Sequence, residues 1–259
     1  MKIYAHRGAS IELPENTLAA FARAIELGAD GIELDTYRAS DGTAVVIHDD
    51  SLDRTTSASG PVKERTAVEL GEIDAGNGQG VPTLAEVLAL ATGKVRVNVE
   101  IKDPEAVDAV IETVTRFDDL DWFASGAHWD ALTDLRERTG AEVFPLSLGV
   151  AENGAKVIER YRDQATDEQA ANVQAFASDW TVALERALTI GAAGLSIYEV
   201  GLTPEIITAI HAAGLEVWVW TVNDPARALE LAAMGADALC TDAPAEVKAA
   251  LDAEKNQTT

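Results

Sequence analysis

The sequence predicts a (β/α)8 TIM barrel, an α/β fold made by one domain over residues 1–259 with a small insertion after the second strand. The chain is long enough for one barrel-sized core, because it has 259 residues of which 47% are hydrophobic. Strand-like and helix-like patterns alternate along it in eight units. A glycine separates helix from strand in several units, where it can adopt the left-handed conformation that ends a helix.

The unit of helix, glycine and strand recurs along the chain. Residues 27–35 read LGADGIELD, and residues 234–242 read MGADALCTD. Gly191 and Gly214 occupy the same place before two further strand patterns. No Gly-x-Gly-x-x-Gly fingerprint follows the first strand, so the closed barrel is favoured over an open doubly wound sheet.

The predicted elements follow one another in the order that a barrel requires. Strands are expected near residues 2–6, 30–36, 95–101, 121–125, 142–148, 193–197, 215–221 and 237–241. Helices are expected near residues 16–27, 83–92, 104–117, 128–139, 153–176, 203–213, 225–234 and 244–254. A strand-like run at 44–48 and the insertion, about 50–82, form a long connection that belongs at the functional face. Residues 150–190 carry more helix than one unit needs, and the sequence suggests no function for them.

The charge of the chain excludes two classes of partner. The 44 acidic and 20 basic residues give a net charge of -24 and a pI near 4.3. Nucleic acids and anionic membranes need a basic face, so neither is expected to bind. Such an acidic surface indicates adaptation to concentrated salt, in which the Debye length is about 3 Å at 1 M. An ordinary acidic cytosolic protein is the alternative.

Location and redox state follow from what the sequence lacks. Cys240 is the only cysteine, so no internal disulfide forms, and its apolar neighbours predict a buried, unreactive thiol. The first residues do not resemble a signal peptide, and no apolar run is long enough to span a bilayer. A cytoplasmic protein without membrane insertion is the expectation, and its oligomeric state stays open.

Charged side chains alternate with apolar ones in the second and third barrel strands. The period of two places Glu33 and Asp35 on one face, and it places Asn98, Glu100 and Lys102 on the barrel side of the third strand. Ionised groups are costly to bury unless they are paired or bound to a metal. Three carboxylates therefore predict an oxygen-rich site for a hard divalent cation, Mg²⁺ or Ca²⁺.

Further polar residues stand at the strand ends, which share one face of a barrel. His6 and Arg7 end the first strand, His48 lies in the loop after the second, and Lys102 ends the third. Two histidines can divide acid and base duties at neutral pH, and the two cations can hold a phosphate. These residues predict displacement at phosphorus. The alternative is a set of structural ion pairs between the acids and the same two cations.

Several other residues have weaker signals. The Glu15-Asn16-Thr17 run is expected to open the first helix, with Asn16 or Glu15 as its cap, or to orient His6 or a ligand. Trp218 and Trp220 share a strand face, and Trp220, nearer the strand end, is the expected site residue.

The two remaining histidines are expected to have different surroundings. His211, inside a predicted helix, should face solvent. His128 is a candidate for the mouth of the barrel.

The ordered motifs of the chain resemble those of the glycerophosphodiester phosphodiesterase family. Single tripeptides are weak signals, but nine in order at suitable strand ends are specific. The motifs are His6-Arg7-Gly8, Glu15-Asn16-Thr17, Glu33-Leu34-Asp35, His48-Asp49, Leu52-Asp53-Arg54-Thr55-Thr56, Pro82-Thr83-Leu84, Glu100-Ile101-Lys102, Trp220-Thr221-Val222-Asn223 and Thr241-Asp242-Ala243-Pro244.

The resemblance implies a barrel enzyme that hydrolyses glycerophosphodiesters, its small-molecule substrates, to glycerol phosphate and an alcohol with the help of a divalent cation. It implies the metal ligands Glu33, Asp35 and Glu100, the acid/base pair His6 and His48, the phosphate contacts Arg7 and Lys102, and Trp220 as a wall of the glycerol pocket. The chain departs from the family at Ser125-Gly126, where a Ser-Phe pair is usual, and His128 or Trp129 is expected to fill the space.

Three questions about the reaction stay open in the sequence. Either water or the glycerol hydroxyl can attack first, the latter through a cyclic phosphate that water then opens. A related barrel lyase acting on lysophospholipid or sphingolipid phosphodiesters would stop at the cyclic phosphate. A non-catalytic module that binds phosphodiesters is the alternative of a different class.

Overall fold

Strands and helices alternate through residues 1–150, 177 and 179–257, the part of the chain that this computed structural model describes. The strands are β1 (Lys2–His6), β2 (Gly31–Arg38), β3 (Ala44–Val46), β4 (Arg96–Ile101), β5 (Trp122–Gly126), β6 (Val143–Ser147), β7 (Gly194–Tyr198), β8 (Glu216–Trp220) and β9 (Ala238–Thr241). The helices are α1 (Leu18–Glu26), α2 (Ala67–Glu72), α3 (Leu84–Ala91), α4 (Val107–Val114), α5 (Trp129–Thr139), α6 (Trp180–Thr189), α7 (Pro204–Ala212), α8 (Pro225–Met234) and α9 (Pro244–Gln257).

Eight parallel strands close into a barrel. They follow the order β1-β9-β8-β7-β6-β5-β4-β2, and pairing of β1 with β2 closes the ring. The remaining strand, β3, runs antiparallel to β2 at its carboxyl end. The structure confirms the predicted (β/α)8 barrel, and each predicted barrel strand lies within two residues of its expected bounds.

Most predicted helices are present, and glycine ends several of them as expected. Gly28 and Gly235 have φ values of +74° and +98°, the left-handed conformation that a side chain disfavours. The predicted helix at 153–176 lies outside the described residues. The patterns missed α2, which has only six residues, and they gave no separate bounds for α6, although residues 150–190 were expected to carry more helix than one unit needs. A helix of fewer than two turns shows no clear period, although the capping box of Thr66 and Glu69 does mark the start of α2.

The predicted cap of the first helix is wrong. Thr17, not Asn16 or Glu15, caps α1, because its hydroxyl accepts a hydrogen bond from the Ala20 backbone N–H at 3.2 Å. Asn16 and Glu15 turn towards the barrel mouth instead. The Glu15 side chain accepts from Arg7 there, and the Asn16 amide donates to Asp35. Neither contact is to His6, and the orientation of a ligand by this motif stays a prediction.

The core has two chemically different parts. Aliphatic side chains fill the space between the strands and the surrounding helices. Inside the barrel the lower end is filled by aromatic rings, with centroids 4.3 to 5.7 Å apart: Tyr4, Phe123, Phe144 and Trp218. The branched aliphatic residues usual in barrel interiors are replaced here by an aromatic floor.

The connection after β2 builds a small core of its own. Val45, Ile47, Leu52 and Leu70 are buried together under this connection. The Ile47 backbone N–H donates to the Asp35 carbonyl oxygen at 3.0 Å, so the residue that follows, His48, is held above the carboxyl end of β2. No helix in the described part of the chain combines the length and apolarity needed to cross a membrane.

The barrel interior is packed so tightly at Gly31 that it leaves no space for a side chain. A Cβ there would lie 2.0 Å from the Tyr4 ring, which is fully buried in the aromatic floor. We expect Gly31→Ala to lower the free energy of unfolding by about 1–3 kcal/mol in urea denaturation, because overpacking displaces neighbouring groups. Gly71→Ala is the control, since a Cβ there meets no atom within 4 Å. It should be neutral or stabilise α2 by up to about 1 kcal/mol. Equal stability of the two variants would contradict this packing.

Candidate active site

A cavity of about 380 Å³ opens at the carboxyl end of the barrel. Seven of the eight predicted site residues line it: His6, Arg7, Glu33, His48, Glu100, Lys102 and Trp220. The eighth, Asp35, is fully buried beside them. The residues come from β1, β2, β4, β8 and the connection after β2, and barrel closure brings them together because parallel strands share their carboxyl ends.

Three carboxylates form a compact cluster next to this cavity. Each of Glu33, Asp35 and Glu100 has an oxygen within 4.8 Å of an oxygen of the other two. One Glu33 oxygen accepts from the Arg7 backbone N–H at 2.9 Å, and one Asp35 oxygen accepts from the Asn16 amide at 2.8 Å. The other oxygens of Glu33 and Asp35 are buried without a hydrogen-bond partner. Buried acceptors aimed at one point fit a bound cation, and their oxygen chemistry suits a hard one.

The ionisation of the cluster also favours a cation. Burial raises the pKa of Glu33 well above its ordinary value, and the charges of Asp35 and Glu100 raise it further. Burial opposes ionisation of Asp35 too, but nearby positive groups, led by His48 and Lys102, outweigh it and hold the Asp35 pKa below its ordinary value. Full ionisation of all three acids therefore needs additional positive charge.

Two cationic side chains contact the acids directly. Arg7 Nε lies 3.3 Å from an Asp35 oxygen, and Lys102 Nζ lies 3.0 Å from Glu100 and 3.6 Å from Asp35. Burial lowers the pKa of Lys102, but Glu100 and Asp35 outweigh it and raise the pKa above its ordinary value. The ion pairs considered as an alternative thus exist. Within the described residues, however, no lysine or arginine forms an ion pair with Glu33, so pairing alone does not neutralise the cluster.

Each of the two histidines is hydrogen-bonded through Nδ1 to a neighbouring carboxylate. His6 Nδ1 lies 2.7 Å from Asp242 Oδ1, and His48 Nδ1 lies 2.5 Å from Asp49 Oδ1. Both rings line the cavity. Because Nδ1 is occupied, Nε2 is the nitrogen that each ring can offer to a bound molecule.

A chain of alternating charges joins the two sides of the cavity, and the sequence reasoning did not find it. Arg54 makes two hydrogen bonds to Glu15, both at 2.9 Å, and two to Asp49, at 2.6 and 3.1 Å. Glu15 also accepts from Arg7 at 2.9 Å. This series of hydrogen-bonded charged side chains thus runs from Arg7 to His48. Its members lie within the quoted motifs, but only folding shows that they pair.

Aromatic and small side chains form the other walls. Trp220 lines the cavity as expected, with its ring 5.3 Å from that of Tyr198. Trp218 also reaches the cavity, as part of the aromatic floor. In the loop after β5 it is Ala127 that lines the cavity. The expectation that His128 or Trp129 would fill the space is wrong, because neither lines the cavity and Trp129 is buried in the aliphatic core beneath Arg186.

Two residues outside the reacting groups match their expectations. Cys240 is buried, and burial raises its thiol pKa well above the ordinary value, so the thiol stays neutral. His211 is exposed, and it contacts Asp237 at 2.8 Å on the outside of the barrel.

The closed barrel, with a cluster of acids able to hold a metal ion at its carboxyl end, is compatible with the class of barrel phosphodiesterases, and comparison with known proteins gives the family. The model of the glycerophosphoryl diester phosphodiesterase family matches residues 6–246. The chain belongs to this family.

Two relatives show how far the similarity extends. A glycerophosphodiester phosphodiesterase from Caldanaerobacter subterraneus subsp. tengcongensis is 32% identical over 257 residues, covering 93% of this chain and 94% of the relative. The structure of a phosphodiesterase from Oleispira antarctica, in complex with the product sn-glycerol-3-phosphate, has a TM-score of 0.79 at 26% identity, and the match covers 97% of each chain.

Glu33 should destabilise the protein when no cation is bound. Its pKa is higher in the folded than in the unfolded chain, so its ionisation opposes folding at neutral pH. In chelator we expect Glu33→Gln to raise the Tm by about 2–4 °C, the shift that ~1 kcal/mol produces in a domain of this size. The gain should shrink as the pH falls through the unfolded pKa of about 4.3 and vanish well below it, where the carboxyl is protonated in both states.

The same variant should lose its response to metal. Mg²⁺ or Ca²⁺ should raise the Tm of the wild type but not that of Glu33→Gln, because a ligand stabilises only the state that binds it. Glu137→Gln, which removes the same charge from the exposed face of α5, is the control and should keep the response. A lower Tm for Glu33→Gln in chelator would contradict the raised pKa.

Proposed function

We propose that this protein hydrolyses glycerophosphodiesters to glycerol phosphate and an alcohol. The observation that carries the proposal is the meeting of three acids, two histidines and two cations around one cavity at the carboxyl end of the barrel. Membership of the family supports it, as does the product-bound structure of the relative from Oleispira antarctica.

The phosphate of the substrate would lie between the cationic side chains and the acids. Arg7 and Lys102 both line the cavity and can donate to phosphate oxygens. Arg7 is fixed by Glu15 and Asp35, and Lys102 by Glu100, so neither has to be ordered when substrate arrives.

His6 and His48 would move the protons. One Nε2 accepts the proton of the attacking oxygen, and the other donates a proton to the oxygen of the departing alcohol. The attacking oxygen is that of water or of the glycerol hydroxyl, and both routes end at glycerol phosphate. The glycerol would rest against Trp220, whose indole N–H is buried at the cavity without a partner.

Glu33, Asp35 and Glu100 would hold a divalent cation, Mg²⁺ or Ca²⁺, because all three offer oxygen only. When bound, the cation supplies positive charge that stabilises the negative phosphate oxygens. Zinc is disfavoured, since it prefers nitrogen and sulfur ligands.

Loss of either histidine should remove turnover without unfolding the protein. We expect His6→Ala and His48→Ala to lower kcat for glycerophosphocholine by about 10²–10⁴-fold, the range typical of general acid–base groups. Release of glycerol phosphate with Mg²⁺, Ca²⁺ or chelator is the measurement, and glycerophosphoethanolamine is the second substrate. His211→Ala, a histidine on the outside of the barrel, should keep full activity.

Product analysis separates the proposal from its alternatives. Phosphorus NMR should show glycerol phosphate as the final product. Accumulation of a cyclic phosphate from lysophospholipid or sphingolipid diesters would instead identify a lyase. Binding without turnover of any substrate would identify a non-catalytic module.

We also propose that the acidic surface adapts the protein to concentrated salt. Forty-four acidic against 20 basic residues repel one another at low ionic strength. Raising KCl from about 0.1 M to about 1 M shortens the Debye length from about 10 Å to about 3 Å. We expect both the Tm and the activity to rise across this series. An ordinary acidic protein would show maxima at low salt, which would contradict the proposal. The single-domain organisation and the cytoplasmic location stay predictions.

A further inference from the structure

The carboxylate of Asp242 lies beside His6 and has no role in the reaction described so far. Its Oδ1 lies 2.7 Å from His6 Nδ1, and its Oδ2 accepts from the side-chain amide of Asn223 at 2.6 Å. The Ser10 hydroxyl, 3.0 Å from Oδ1, shares its one proton between this oxygen and the His6 carbonyl oxygen. Burial raises the pKa of Asp242, but the hydrogen bond and charge of His6, together with hydrogen bonds from Asn223 and Ser10, outweigh it and lower the pKa to about 2.

The orientation of Asn223 is fixed by a backbone N–H group, which can only donate. The Asp242 backbone N–H donates to Asn223 Oδ1 at 2.8 Å, and a backbone N–H has no other role. The Thr241 hydroxyl donates to the same oxygen at 3.1 Å, and its own oxygen accepts from the Ala243 N–H. Asn223 must therefore turn its NH₂ group towards Asp242.

This fixed amide determines the proton position on His6. Asp242 faces the Asn223 NH₂ on one side and His6 Nδ1 on the other, and as a carboxylate it accepts from both. His6 must then carry its proton on Nδ1. In the neutral ring Nε2 is left as a lone pair that faces the cavity, ready to accept a proton.

We propose that Asp242 is a positioning residue that holds His6 in the Nδ1–H tautomer, and that Asn223 in turn fixes the direction in which Asp242 accepts. The proposal rests on the proposed function, because a proton-accepting Nε2 matters only if His6 acts on substrate. Asp242 itself does not line the cavity, so its effect passes through His6.

His48 has the same arrangement, built from different residues. Asp49 accepts from Arg54 on both oxygens, and arginine can only donate. Asp49 therefore also faces His48 Nδ1 as an acceptor. Both histidines at the cavity therefore turn Nδ1 towards a carboxylate, which leaves each Nε2 to exchange a proton with a bound molecule.

Exchanging the amide and the carboxylate tests the proposal. In Asp242→Asn the new NH₂ group must face either Asn223 or His6, and both positions already hold a donor. We expect kcat to fall roughly 10²-fold or more, as a wrong tautomer causes, with KM changed less than about threefold, because Asp242 lies outside the substrate cavity. In the double variant Asp242→Asn/Asn223→Asp, the amide at position 242 donates to the carboxylate at position 223, and its oxygen can again accept from His6 Nδ1. Every donor then faces an acceptor, and the negative charge lies at position 223 instead of 242. It should recover kcat to within about tenfold of the wild type.

Asp237→Asn is the matched control. Asp237 accepts from the Val217 backbone N–H and contacts His211 at 2.8 Å, but this pair lies on the outer surface. The kcat of Asp237→Asn should equal that of the wild type. Recovery in the double variant is not expected of a residue that only stabilises the fold, so the Tm of all four proteins is measured alongside kcat.

Nitrogen-15 NMR of the imidazoles reads the tautomer directly. The chain has only four histidines, and His6→Ala identifies the His6 signal. The neutral ring should show the Nδ1–H tautomer in the wild type and in the double variant, and a loss of it in Asp242→Asn. An Nε2–H tautomer in the wild type, or unchanged kcat in Asp242→Asn, would overturn the proposal. A double variant with wild-type Tm and no recovery would do the same. Absence of turnover in the wild type would count against the proposed function alone, since the NMR result stands without it.

Discussion

The burial of three carboxylates side by side is the constraint that organises this molecule. Unpaired ionised groups are too costly to bury, so neighbouring elements must supply donors. The loop after β1 does so from left-handed backbone at Arg7 and Asn16, with φ values of +58° and +57°. Arg7 gives Glu33 its backbone N–H, and Asn16 gives Asp35 its amide. Such uncommon backbone at two non-glycine positions is maintained because the acids need these donors.

The barrel interior changes from apolar to charged along its axis. The aromatic floor below the acids keeps the cavity at one end and fills the rest of the interior. Electrostatic interactions are stronger next to such an apolar floor than in open solvent. The connection after β2, which includes Arg54 of the insertion, then completes the site from above, because the ion pairs of Arg7, Glu15, Arg54 and Asp49 tie His48 to the first strand of the barrel. The insertion is therefore part of the site.

Sequence patterns predicted the strands and the meeting of the eight candidate residues at one end of the barrel, and they failed where information was not local. Alternation in residues 31–35 and 98–102 is a local signal, and it correctly placed Glu33, Glu100 and Lys102 at the barrel mouth. The cap of α1 was misjudged because Asn16 and Thr17 both suit that position by residue type. Thr17 is the cap in the structure, and the Asn16 amide instead donates to Asp35 of β2.

The sequence by itself determined the barrel, the acidic surface and the kinds of residue at the strand ends, because periodicity and composition are properties of the chain alone. Tertiary structure decided the pairings: Asp242 with His6 across 236 positions, Arg54 with Glu15 across 39, and the aromatic floor. These pairings depend on which strands become neighbours when the barrel closes. A residue's type shows that it can donate or accept, but only the closed fold shows which partner it meets.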